Sequence, residues 1–365
     1  MSRLFIIALT LLIYGCNINS GTSDLEASSS APTNSNCSPT QTVNWAAILN
    51  DNCPNLSDYG LFSDSSQLRN KPTPPGLPYS LNSELFTDYA NKYRYLFIPV
   101  DKQINYIEQG IFEFPIGSVL VKVFAIPENT QLATDAIIEV RLLIRRDSGW
   151  QLLPYLWEEN IQDAKLHLSG KGVNGNLTHN SIDYENQYSI PTYATCRQCH
   201  AQGGSNQPIG PKARNLNRLV NYENQSVNQL ELWNQLNLIK GLPSSITEIA
   251  TAPSWRNNTA SLQDRAKAYL DINCSHCHND NGAADHSGLR LEFWRPLNDG
   301  KHGVCQGGDV KNIWPGDANM SFIPYRMALT TPRNRMPPFG RNLADVDAVD
   351  LIEEWINSMP YQTCR

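Results

Sequence analysis

With 365 residues and 41% hydrophobic side chains, the chain can build two or three domains with cores of their own, which excludes general disorder. Its formal net charge is −6, and no run of five or more Lys and Arg occurs, so a phosphate-binding surface is not expected and nucleic acid is excluded as a partner.

The chain begins MSRLFIIALTLLIYGC, with Arg3 ahead of an apolar run from Leu4 to Tyr14. That run has the length of a signal peptide and is too short for a membrane span, which predicts export. Its ending resembles a bacterial lipobox, where a small residue precedes a cysteine that takes lipid. Gly15 and Cys16 fit, Ile13 is acceptable, and Tyr14 is bulkier than usual. The expectation is a lipoprotein signal peptide over 1–15 and lipidation of Cys16. This places the protein in the cell envelope, periplasm-facing or at the surface, with the outer membrane favoured; ordinary cleavage to a soluble periplasmic protein is the alternative. Residues 16–36 are small and polar and read as a flexible tether.

Residues 37–190 read as strands. KYRYLFIPV, GIFEFPIGSVLVKVFAIP and AIIEVRLLIRRDSGWQLLPYLW are β-branched and aromatic runs bounded by Pro and Gly. In the last of them Val140, Leu142 and Ile144 alternate with Glu139, Arg141 and Arg145, and RDSG at 146–149 reads as a hairpin turn. An all-β, sandwich-like domain is predicted, with no catalytic motif in it.

From 191 the pattern becomes helical. In SVNQLELWNQLNLIKGLP, Ser226 and Gln229 make a capping-box pattern ahead of an apolar face of Val227, Leu230, Trp233 and Leu236. SLQDRAKAYLDINCSHCH predicts a helix capped by Ser261, with Leu262, Ala266, Tyr269 and Leu270 on one face. DVDAVDLIEEWINSM predicts a terminal helix burying Ala348, Ile352, Trp355 and Met359.

TCRQCHAQ at 195–202 and NCSHCHND at 273–280 each hold C-x-x-C-H, the pattern of covalent haem attachment. Two cysteines three residues apart can each form a thioether to one haem vinyl group, and the following histidine then reaches the iron. Two covalently bound haem c groups are therefore expected, on Cys196 and Cys199 with His200, and on Cys274 and Cys277 with His278. The rivals are zinc, which usually takes four ligands from two separated pairs, and a dithiol redox centre. Once Cys16 and these four are set aside, Cys37, Cys53, Cys305 and Cys364 remain, an even number in an oxidising compartment. Of the three possible pairings, Cys37 with Cys53 and Cys305 with Cys364 are favoured, the first close in sequence and the second late in the chain.

Around the second motif, a helix runs into the cysteines, NRMPPFGR follows in a late loop, and an amphipathic helix ends the chain. This order resembles the class I cytochrome c fold, in which a late Met completes iron coordination. Met336 is the expected axial ligand, with Met320 and Met327 as competitors; such a His and Met pair raises the reduction potential. His276 is expected to face outward, and His286 and His302 to be surface residues. After the first motif, Gly210 and Pro211 stand where class I cytochromes place a Gly-Pro whose neighbouring carbonyl orients the proximal His. No Met or further His occurs between Ala201 and Ser275. The first haem's sixth ligand is thus His167 or His179 upstream, a borrowed Met320 or Met327, or absent, with His179 and Met327 preferred among the named residues.

With LNSELFTDYANKYRYLFIP, FPIGSVLVKVF, IPTYATCRQCH, IGPKARNLN and RAKAYLDINCSHCH, the chain resembles a family of conserved bacterial dihaem c-type cytochromes, often exported lipoproteins. The resemblance covers roughly residues 50–365 and implies electron transfer rather than a defined substrate. The expected architecture is multidomain: the β domain over 37–190, then two mainly α-helical cytochrome c-type haem domains, over 191–260 and 261–365. The expected function is electron transfer between an exported redox enzyme and another carrier, with redox proteins as partners and the membrane reached through the lipid anchor. The alternative is a dihaem peroxidase-like enzyme with an open first haem. A third possibility makes the β domain a docking or carbohydrate-binding module.

Overall fold

A computed structural model of the chain describes residues 36–127, 135–179 and 182–364. The predicted signal peptide, Cys16 and tether residues 16–35 lie outside the described residues. Six strands, β1 (Leu77–Pro78), β2 (Asn91–Phe97), β3 (Val119–Ile126), β4 (Ala136–Arg146), β5 (Gly149–Glu158) and β6 (Asp163–Leu166), form the main sheet. Each pairs antiparallel with the next. The β4–β5 turn falls on the predicted RDSG: Arg146 pairs with Gly149, whose φ of +111° suits a residue without Cβ.

The sandwich expectation gives way to this single meander. Its strands are apolar on both faces, so both must be covered, and neither cover is a second large sheet. On one face Tyr95, Phe97, Val121, Val140, Leu142 and Ile144 pack on Ala47, Ile48, Tyr59, Leu61 and Leu68. That N-terminal cover includes helix α1 (Trp45–Asn50) and is closed by the predicted Cys37–Cys53 disulfide. It is also tied to the sheet by Tyr155, whose hydroxyl donates to the Cys53 carbonyl at 2.8 Å. On the opposite face Leu96, Leu120 and Trp150 share a core with Ala213, Leu216, Leu230 and Trp233. A separate hairpin of β7 (Lys171–His179) and β8 (Ile182–Ile190) sets Tyr188 and Ile190 against Phe124, Ile138 and Leu156 at the far end of that face.

Among the described residues, five helices of seven residues or more follow: α2 (Tyr193–His200), α3 (Gln229–Gln235), α4 (Leu262–Asn273), α5 (Phe322–Ala328) and α6 (Val346–Asn357). Ser261 caps α4 as predicted, accepting from the Asp264 N–H at 3.0 Å. The predicted cap of α3 does not hold. Asn228 caps it, accepting from the Leu230 N–H at 2.9 Å, because Ser226 and Val227 are drawn into a hairpin opposite Asn221 and Val220. Leu230 and Trp233 are buried as expected, while Leu236 is exposed. Helices α4 and α6 meet through Ala266, Tyr269 and Leu270 against Ala348, Ile352 and Trp355. Burying each large apolar side chain there contributes about 1.5–3 kcal/mol. The predicted Cys305–Cys364 disulfide holds the C-terminus to this core. An N-terminal β-sheet region is thus followed by a mostly helical C-terminal region, and all described residues belong to one compact unit.

Candidate functional site

The first motif occupies the last turn of α2. Thr192 starts this helix by accepting from the Thr195 N–H at 3.0 Å. Cys196, Cys199 and His200 then stand at i, i+3 and i+4, on one helix face. His200 Nδ1 donates to the Gln207 carbonyl at 2.6 Å, and the Gln207 N–H donates back to the His200 carbonyl at 2.7 Å. A carbonyl can only accept, so the proton sits on Nδ1 and the Nε2 lone pair is available. Burial pushes the His200 pKa down to about 4, which keeps the ring neutral at pH 7. The carbonyl that orients His200 is not the one expected beside Pro211. Gly210 instead offers its carbonyl to the Lys212 N–H and the Asn215 side-chain amide, at 2.7 and 3.3 Å. Its φ of +109°, and the 2.8 Å at which a Cβ would meet Leu81, explain the glycine.

Cys196, Cys199 and His200 open onto a cavity that is partly open to solvent. The far wall is the sheet. Arg94, Lys122 and Arg141 lie side by side on adjacent strands, Arg94 opposite Lys122 and Lys122 opposite Arg141, and all three line the cavity. Like charges placed directly opposite are destabilising, so this row is costly unless an anion lies against it. Glu84 partners Arg94 at 2.9 Å and Glu139 partners Arg141, while Arg94 Nη2 has no hydrogen-bond partner. Burial, reinforced by Arg94, Lys92 and Arg141, holds the Lys122 ammonium well below its ordinary pKa. Arg341, also buried, lines the same cavity and leaves its Nε without a partner. The β region therefore carries part of the site, although no motif marks it. The available signal was a basic residue in each of three apolar strands.

The second motif begins where α4 ends. Cys274 caps the helix, and the Cys277 and His278 N–H groups both donate to its carbonyl, at 3.1 and 2.9 Å. His278 Nδ1 donates to the Ser287 hydroxyl at 3.1 Å, which in turn donates to the Ala284 carbonyl at 2.6 Å. Burial lowers the His278 pKa to about 4. Cys274, Cys277 and His278 line a second cavity, and Met336 lines it with them. Arg341 holds the Met336 loop in place by donating from Nη2 to the carbonyls of Met327, Leu329 and Met336 at 3.0, 2.9 and 2.8 Å.

The two cavities adjoin. Cys199, His276, Pro337 and Phe339 line both. The Cys277 thiol donates to the Gln198 carbonyl at 3.8 Å, and the Gly203 N–H donates to the Asn281 carbonyl at 3.0 Å. Beneath them the buried Asp271 accepts from Lys212 at 2.9 Å, joining the segment after the first motif to α4.

The other candidates fall elsewhere. Met327 is buried in the α4–α6 core, and His179 stacks on Tyr89 at 3.8 Å and meets Asp347 at 3.2 Å; neither lines the first cavity. Met320 is half exposed, His167 is bonded to the Gly170 carbonyl at 3.0 Å, and His286 is exposed. His302 is buried rather than at the surface, with its ring edge-on to Trp355. His276 does not face outward. It is only 5% exposed, and its Nδ1 has no hydrogen-bond partner, a cost of about 1–3 kcal/mol if nothing binds there.

Among the described residues, the one close trio of candidate metal ligands is Cys37, Cys53 and Asp58, and its sulfurs are tied up in a disulfide. The motif residues are instead spread along cavity walls. No helix among the described residues is long and apolar enough to cross a membrane. No family model, curated protein or solved structure matches this chain.

Proposed function

We propose that the chain is a dihaem c-type cytochrome of the cell envelope, held by lipid at Cys16 and passing electrons between an exported redox enzyme and another carrier. The observation that carries this reading is that each C-x-x-C-H opens onto a cavity, with its histidine half-buried, neutral and oriented through Nδ1. Cys196 and Cys199 would hold one haem, and Cys274 and Cys277 the other. The donor sets fit: an aromatic macrocycle against apolar walls, and two carboxylate side chains against the Arg94, Lys122 and Arg141 row. A bound haem supplies one-electron iron chemistry, and an axial Met raises its potential.

The chain's own residues then have separable tasks. Gln207 and Ser287 fix the tautomers of His200 and His278, and Arg341 positions the Met336 loop. Cys199 lines both cavities and Cys277 bonds the neighbouring Gln198 carbonyl, which brings the attachment edges of the two sites together and suits electron passage within one chain. The test is the mass of the denatured protein from cells competent in cytochrome c maturation. Two added haem masses are expected, and one after Cys196→Ala with Cys199→Ala. An unmodified mass, or zinc in place of iron, overturns the proposal.

A further inference from the structure

We infer that His276, lying between the two cysteines of the second motif, is the distal axial ligand of the first haem, so that one motif serves both sites. The inference rests on the haem reading above and identifies a ligand which the segment after the first motif does not contain.

Three observations converge on it. His276 lines the first cavity together with Cys196, Cys199 and His200, and no other His or Met among the described residues does so. Its ring is buried yet leaves Nδ1 unpartnered, where buried polar atoms are almost always bonded. The backbone supplies the reason. The bond from the His278 N–H to the Cys274 carbonyl closes a helical turn, and residues two apart on such a turn point about 200° apart. His278, which lines the second cavity alone, therefore points away from His276, which lines both and can reach into the first.

Two nitrogen ligands at the first site and a nitrogen and sulfur pair at the second would give the first haem the lower potential. Electrons would then run from the first haem to the second, and the closed first site would exclude peroxide.

The experiment uses the mature protein and His276→Ala, which leaves C-x-x-C-H intact. Haem count by mass, carbon monoxide titration of the reduced protein, and the near-infrared charge-transfer bands of the oxidised protein are measured together. Two haems are expected in both proteins. Carbon monoxide uptake should rise from almost none to about one equivalent per chain in the variant. His276→Met, which serves equally if the alanine variant does not fold, should keep the first site closed and replace its all-nitrogen band with a second sulfur band. Two haems with uptake or bands unchanged by either substitution, or a wild-type protein that already binds one equivalent, overturns the His276 assignment while the haem reading stands. A chain without haem overturns both.

Discussion

The two C-x-x-C-H segments are alike in sequence but sit against opposite kinds of wall. The first closes a helix and faces a β-sheet bearing three cations, and its histidine is anchored on a backbone carbonyl. The second follows a helix end and faces a Met-bearing loop, and its histidine is anchored on a serine hydroxyl. The difference teaches that one motif can be set in quite different surroundings, because the residues across each cavity come from other parts of the chain. The two segments also touch, through the Gly203 N–H on the Asn281 carbonyl and the Cys277 thiol on the Gln198 carbonyl.

The largest expected effect comes from breaking that contact. Asp271 is buried between Lys212 and Arg214, and Asp271→Ala leaves two cations uncompensated, a loss of about 3–5 kcal/mol measurable by denaturant unfolding. Burial alone would raise the Asp271 pKa, but Lys212 and Arg214 outweigh it and hold it below the ordinary value. A carboxylate depressed in this way contributes stability that is full above its unfolded pKa, near 4, and is lost as the pH falls through the folded value. The difference between wild type and Asp271→Asn should therefore shrink in acid; a difference that does not depend on pH would refute this account.

A smaller effect sharpens the contrast between the walls. Met336→Ala should abolish the weak red-end absorption of sulfur-ligated oxidised haem and lower the second potential by on the order of 100 mV, leaving the first unchanged. Redox titration with optical detection checks both. If band and potential survive, Met336 is not the ligand, although it shares the cavity with His278.

The smallest effect probes the sheet. Lys122→Met replaces the middle of the three basic side chains, whose charge is already disfavoured by burial and by its basic neighbours, and should stabilise haem-free protein by about 1 kcal/mol. With haem attached, that gain should vanish, because the lost cation no longer faces a carboxylate. Thermal unfolding of the two forms separates these outcomes, and equal gains in both would dissociate the cation row from the bound group.

Much of this was legible along the chain. The disulfides Cys37–Cys53 and Cys305–Cys364 followed from counting and proximity, the Ser261 cap and the apolar stripes of α4 and α6 from helical periodicity, and the RDSG turn from local turn chemistry. These features depend on residues a few positions apart, or on covalent pairing. Tertiary structure alone decided what faces what. The alternation of Glu139 and Arg141 with Val140 and Leu142 was evident, but the polar face proved to be a cavity wall rather than a wet surface. His276 turned inward, and Gln207 took the role expected near Gly210. Periodicity tells which residues share a face, but the partner of that face is set by packing between segments a hundred or more residues apart, and no local pattern encodes it.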